Sequence, residues 1–120
     1  MGRALTGSGL AMGSPAYMSP EQVMDSASVD RATDVYGLGA SLFTAVTGDD
    51  PFPLDDTYAL FQAIASEPAP RIEEIVPGLP VALGDLVAAC LSKDPAERPA
   101  GCGLVAASLA RVLAEGEAAP

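Results

Sequence analysis

The chain has 120 residues, a formal net charge of -10 and 49% hydrophobic residues, with a mean hydropathy of +0.29. That is one ordinary domain's length with enough apolar surface for one core, and 18% charged residues are too few for wholesale disorder. Six Lys and Arg against 16 Asp and Glu, with no basic cluster, exclude the neutralisation of a run of phosphates, so neither nucleic acid nor an anionic membrane surface is an expected partner.

Residues 1–18, rich in Gly, Ser, Ala and Pro without periodicity, read as a loop. Ser19-Pro20-Glu21-Gln22 then offers a serine N-cap, a proline at the first helical position and a glutamine three residues after the cap, which predicts a short helix opened by a capping box. Asp30 and Thr33 are the next cap candidates, and the pattern from Asp34 to Thr47 is helical with Gly48 as its stop. Val35, Leu38, Leu42, Phe43 and Val46 cover more than one stripe of that helix, so it is expected to be surrounded by protein. A turn at 48–53 leads to acidic Asp55 and Asp56, which suit the positive end of a third helix over Thr57–Ser66 with Leu60, Phe61 and Ile64 on its apolar side. Prolines at 68, 70, 77 and 80 predict an irregular connection lying extended over the surface. Leu83, Leu86, Val87, Cys90 and Leu91 make a fourth helix ended by Lys93-Asp94-Pro95, and Leu104, Val105, Leu109, Val112 and Leu113 a fifth that frays from Gly116. With no strand signal and no internal repeat, the fold class is all-α.

Few chemistries survive this composition. The apolar stretches 35–46 and 81–91 are shorter than the roughly 20 residues a bilayer takes, and no secretory pattern follows Met1, so the expected location is cytoplasmic. Cys90 and Cys102 are too far apart for a C-x-x-C motif and have no histidine to join them, so they read as small apolar residues on helices rather than zinc ligands. Gly7, Gly9 and Gly13 fall in a G-x-G-x-x-x-G pattern that no strand precedes, which argues against a phosphate cradle. The pairs Asp49/Asp50, Asp55/Asp56 and Glu73/Glu74 sit at turns and helix starts, where carboxylates cap or stay solvated. Without histidine there is no conventional Ser-His or Cys-His nucleophile, and these residues alone make no complete active site.

Four segments in register carry a resemblance. Gly13-Ser14-Pro15-Ala16-Tyr17-Met18-Ser19-Pro20-Glu21-Gln22, Asp30-Arg31-Ala32-Thr33-Asp34-Val35-Tyr36-Gly37-Leu38-Gly39, Thr47-Gly48-Asp49-Asp50-Pro51-Phe52 and Leu91-Ser92-Lys93-Asp94-Pro95-Ala96-Glu97-Arg98-Pro99 together resemble the C-terminal lobe of a bacterial, eukaryotic-like (Hanks-type) serine/threonine protein kinase. The implied fold is the helical C-lobe of the kinase-like fold, α+β when complete, with a partial kinase domain over 1–115, its activation segment and substrate loop over 1–18, C-lobe helices over 19–115 and a tail over 116–120.

The resemblance implies roles position by position. Glu21 matches the glutamate of the A-P-E motif, here Ser-Pro-Glu, and Arg98 the arginine that pairs with it, a buried ion pair expected to be bidentate and to anchor the substrate loop. Asp34 matches the aspartate that holds the catalytic-loop backbone. Gly13, Ser14 and Tyr17 fall in the loop that receives the residue after the phosphorylated hydroxyl, and Thr6 and Ser8 stand where relatives are phosphorylated. Asp49, Asp50, Asp55, Asp56 and Glu67 gather near the third predicted helix, which implies a preference for basic substrates.

The Gly-rich loop, the strand lysine and its glutamate, the H-R-D-x-x-x-x-N catalytic loop and the D-F-G aspartate are not in this sequence. Met1-Gly2-Arg3-Ala4 resembles the residues that directly follow D-F-G, which implies a fragment, a split gene or a shortened reading frame. The expectation is therefore part of a kinase that phosphorylates protein Ser and Thr, with ATP and magnesium bound only by the full-length protein. These 120 residues would supply substrate docking without activity of their own, and their partners would be protein substrates or the missing kinase N-lobe. The alternative is a stand-alone non-catalytic binding module or a relic of a kinase gene. Oligomeric state and anchoring of a longer parent in a membrane stay open. Uncovered by the rest of the lobe, helix 34–47 is expected to expose a large apolar patch and leave the isolated chain molten.

Overall fold

The computed structural model describes residues 15–25, 27 and 30–118, and the described residues are helical, without strands. A single 3-10 turn, Pro15–Tyr17, leads into α1 (Pro20–Met24). Ser19 Oγ accepts from the Gln22 amide at 3.2 Å and the Gln22 side chain accepts from the Ser19 amide at 3.0 Å, the capping box expected from this tetrad. The long helix α2 (Arg31–Thr47) starts three residues before the expected Asp34, because Asp30 is its N-cap and accepts from the Thr33 amide at 3.0 Å. It ends at Gly48, whose φ of 81° lies in the left-handed region that glycine enters without strain. Helix α3 (Thr57–Ser66) has the predicted bounds, with Asp56 Oδ2 accepting from the Ala59 amide at 2.8 Å.

The proline-rich connection departs from expectation. Pro68 and Pro70 keep the chain extended, but the proline-free stretch after them closes one helical turn, α4 (Ile72–Ile75), and buries Ile72 to 1% exposure. Proline excludes helix only at its own and neighbouring positions, and the spacing from Pro70 to Pro77 leaves room for a turn that places an apolar side chain in the core. Helix α5 (Val81–Cys90) is followed by a 3-10 turn, Pro95–Glu97, capped by Asp94, and α6 (Cys102–Ala118) closes the chain. Its backbone stays helical through Ala118 rather than fraying from Gly116. In place of a hydroxyl cap, the Gly101 carbonyl accepts from the Leu104 and Val105 amides.

Helix α2 is the axis of the molecule. Tyr36, Ala40 and Phe43 share one buried cluster with Phe52, Leu60 and Ile64 from the turn and α3, Ile72 from α4, and Leu83 and Val87 from α5. Val35, on the other side of α2, packs with Cys90 and Val105 in a second cluster. The two clusters account for most of the wide apolar stripe, while Leu38, Leu42 and Val46, one turn apart along α2, are only half-buried against them, a narrower apolar strip than the large patch expected. The exposed large apolar side chains are Met24, Leu54, Tyr58, Ile75, Val81, Leu104 and Leu113, none on α2. Cys90 is buried as expected, whereas Cys102 is exposed at the first turn of α6.

Close approach of α2 and α5 depends on Gly39. A Cβ there would collide with Cys90 Cβ and lie 3.4 Å from Leu91 Cδ2, so only hydrogen fits between the two helices.

Candidate functional site

Arg98 follows the Pro95–Glu97 turn and points into the protein, with its side chain fully enclosed. Nη1 donates to Glu21 Oε2 at 2.7 Å and to the Ala32 carbonyl at 2.9 Å. Nη2 donates to Glu21 Oε1 at 2.9 Å and to the Lys93 carbonyl at 3.4 Å, and Nε donates to the Ser92 carbonyl at 2.8 Å. All five guanidinium donors are thus used, two of them in a fork-to-fork pair with Glu21 across 77 positions of sequence. Thr33 donates its hydroxyl to Glu21 Oε2 at 2.9 Å, so the carboxylate is also tied to the first turn of α2. The Arg98 guanidinium lies 5.1 Å from the Tyr36 ring centroid, a cation–π contact inside the core.

These contacts set the charges. Partial burial would raise the Glu21 carboxyl, but hydrogen bonds from Arg98, its own backbone and Thr33, together with the Arg98 charge, outweigh it and bring the pKa down to about 2. Burial pushes the Tyr36 phenol up to about 12 despite the nearby Arg98 charge, and its hydroxyl is buried without a partner among the described residues.

The Arg98 guanidinium is therefore locked to a carboxylate held well below the ordinary carboxylate range. The pair joins α1 to the turn before α6, and through Ala32 and Thr33 to α2. Such an arrangement cannot shuttle protons; its chemistry is positional. It fixes α1, and with α1 the segment that enters it. That segment ends in Tyr17, half-buried against the main core cluster, and the Met18 amide donates to the Pro15 carbonyl at 3.3 Å.

Gly13, Ser14, Thr6 and Ser8, the other expected substrate-loop and phosphorylation positions, lie outside the described residues. Asp34 is exposed on the first turn of α2. Of the acidic positions near α3, Asp56 caps that helix, Asp50 accepts from the Thr44 hydroxyl at 3.2 Å, and Asp49 accepts from the Asp50 amide at 3.0 Å.

Two polar contacts had no clear sequence signal. Lys93 donates to the Ile64 carbonyl at 2.6 Å, capping the last turn of α3, with its ammonium 4.7 Å from the Phe52 ring centroid. Burial lowers its pKa to about 8, although Glu67 works in the opposite direction. Arg71 bridges Glu73 at 2.6 Å and Asp85 at 2.7 Å, tying α4 to α5. Glu73 therefore holds a partner where the sequence offered only a capping or solvated acid.

Comparison with known proteins places this architecture. The model of the protein kinase domain matches residues 6–110. The chain is 31% identical over 112 residues to the serine/threonine-protein kinase PknL of Mycobacterium tuberculosis, covering 93% of this chain and 28% of that protein. It is 37% identical over 112 residues to the serine/threonine-protein kinase PksC of Streptomyces coelicolor, covering 93% of this chain and 20% of that protein. Against the serine/threonine-protein kinase AfsK of the same organism it is 39% identical over 99 residues, 79% of this chain and 11% of that protein. The chain spans less than a third of the length of these relatives. It belongs to the protein kinase family, and its helices are those of the kinase C-lobe.

Proposed function

We propose that this chain works as the substrate-docking and activation-segment part of a serine/threonine protein kinase, the full-length protein passing the ATP γ-phosphate to Ser or Thr hydroxyls of protein substrates. The observation that carries this reading is the enclosed Arg98–Glu21 pair, which immobilises α1 directly after the expected substrate loop at Gly13, Ser14 and Tyr17. A loop that must present a hydroxyl needs one end fixed to a rigid frame, since misplacement by about 1 Å can cost on the order of 100-fold in rate. The relatives named above support Ser and Thr as acceptors.

Among the described residues no group of three or more His, Cys, Asp or Glu side chains could hold a metal ion, and the cavities beside Val23 and Phe61 and beside Ala69 and Leu91 are mainly walled by apolar side chains. In this reading ATP and magnesium belong to the full-length protein. The 120 residues alone are expected to transfer no phosphate. No helix among the described residues is long and apolar enough to cross a membrane.

The test uses the full-length protein from its source cells, incubated with γ-labelled ATP, magnesium and a mixed protein substrate. Label in phosphoserine and phosphothreonine, reduced by Arg98→Ala with ATP affinity unchanged, is the expected result. A native product of 12.1 kDa that neither binds ATP nor transfers label would overturn the reading.

A further inference from the structure

The chain holds a single lysine, Lys93, and folds it into surroundings that suit a cation poorly. Between the connection from α3 to α4 and the end of α5 lies a pocket of about 190 Å³, lined by Pro68, Ala69, Ala88, Leu91, Ser92 and Lys93. Its walls are mostly hydrocarbon, and Lys93 is the one ionisable side chain among them. An apolar cavity of about 150 Å³ accepts a six-carbon ring, so this pocket has room for a short acyl chain.

The amine stands at a fixed point of the frame. Nζ donates to the Ile64 carbonyl at 2.6 Å and, less closely, to the Ala63 carbonyl at 3.4 Å, and lies 4.7 Å from the Phe52 ring centroid. Burial draws its pKa down to about 8; Glu67, at the end of α3, opposes that shift and Arg98 adds to it. At pH 7 about a tenth of the amine is therefore neutral, against roughly 0.03% for an ordinary lysine. A desolvated lysine that gives up its proton readily is the nucleophilic form of this side chain, and holding it in place lowers the entropy cost of attack. The electrophile is narrowed by charge. The chain carries a net charge of -10, and the acids nearest the pocket in sequence, Glu67, Asp94 and Glu97, are exposed. They repel an anionic acyl phosphate, whereas the acyl end of a thioester is neutral and apolar.

We propose that Lys93 is a covalent modification site that takes a short acyl group from an acyl thioester, with the acyl chain lodged in the pocket. The neutral amine attacks the thioester carbonyl; a C–N bond forms, the C–S bond breaks, and the thiol leaves with the proton that the nitrogen sheds. The product amide keeps one N–H for the Ile64 carbonyl and removes a charge that burial disfavours. The inference goes beyond the kinase reading, because it needs neither ATP nor phosphate transfer.

The experiment incubates the full chain with S-acetyl-N-acetylcysteamine across a pH series, with Nα-acetyl-lysine amide in the same tube as an ordinary lysine. Peptide mapping by mass spectrometry separates acetyl-Lys93 from products at the amino terminus, Cys90 and Cys102. Falling basicity weakens a nucleophile, as with thiols, and takes back part of the gain in neutral amine, so the expected advantage of Lys93 near neutral pH is about ten-fold. Its rate should level off above pH 8, while that of the free lysine keeps climbing toward 10.5. Ala88→Leu, which fills the pocket and leaves the amine in place, should remove the advantage while far-UV circular dichroism stays helical. A thioester of the bulky pivaloyl group tests the pocket without a substitution and should show no advantage on the native chain. Acetylation of Lys93 no faster than that of free lysine would overturn the proposal. Equal advantage for acetyl and pivaloyl donors, or faster transfer from acetyl phosphate than from the thioester, would do the same.

Discussion

Arg98 concentrates more structural consequence than any other described side chain, because each donor on its guanidinium has its own acceptor. Arg98→Ala leaves Glu21 and the Ser92, Lys93 and Ala32 carbonyls without their cation, and the expected loss of stability is about 3–5 kcal/mol, read by urea unfolding. Arg98→Lys keeps the charge but not the planar fork, so it should recover only a small part of that loss. Charge coupling gives a second readout. The folded-state pKa of Glu21 is about 2 against an ordinary 4.5; its contribution is complete above pH 4.5 and drains away as pH falls toward 2. Glu21→Gln should therefore lower stability at neutral pH and flatten the acid limb of the stability curve. Lys93 acts at the other end. Its folded value of about 8 lies below the ordinary 10.5, so its share of stability rises as pH climbs from 8 to 10.5, and Lys93→Met should remove that rise.

At the scale of elements, the short-range signals were the most legible. Ser19, Asp30, Asp56 and Gly48 sit at the helix ends they were expected to mark, since a cap is a bond between a residue and amides or carbonyls within one turn of it. Ser19→Ala should cost about 1 kcal/mol, and Gly48→Ala about the same by forcing a Cβ into the left-handed region; thermal melts of the two variants measure both. What short range concealed was α4, which fits in the proline-free stretch between Pro70 and Pro77 and is drawn in by the burial of Ile72. Gly39 was equally silent in sequence, because its constraint comes from α5. Gly39→Ala should destabilise by about 1–3 kcal/mol through overpacking. The contact is with Cys90 Cβ, so Cys90→Ala would leave the penalty in place, whereas Cys90→Gly would relieve part of it, a distinction a double-mutant cycle reads directly.

For the whole molecule, two buried clusters share α2 and α5, which makes separate melting of either one costly. Unfolding of the chain is expected as one transition, coincident by far-UV circular dichroism and tyrosine fluorescence; transitions that separate would return the molten behaviour expected from sequence. Helix content, most helix boundaries and membership of the kinase family were legible from the 120 residues, because caps, breakers and motif spacing act within a few positions or in a fixed order along the chain. The expected pairing of Glu21 with Arg98 came from that motif order, not from any local signal. Only the tertiary structure decided that Arg98 spends every donor, that Lys93 caps α3 and lines a pocket with Ala69 and Ala88, and that Arg71 joins α4 to α5. Those residues lie far apart in sequence, and contact between them depends on how the helices pack around α2, an outcome of summed burial that no local window contains.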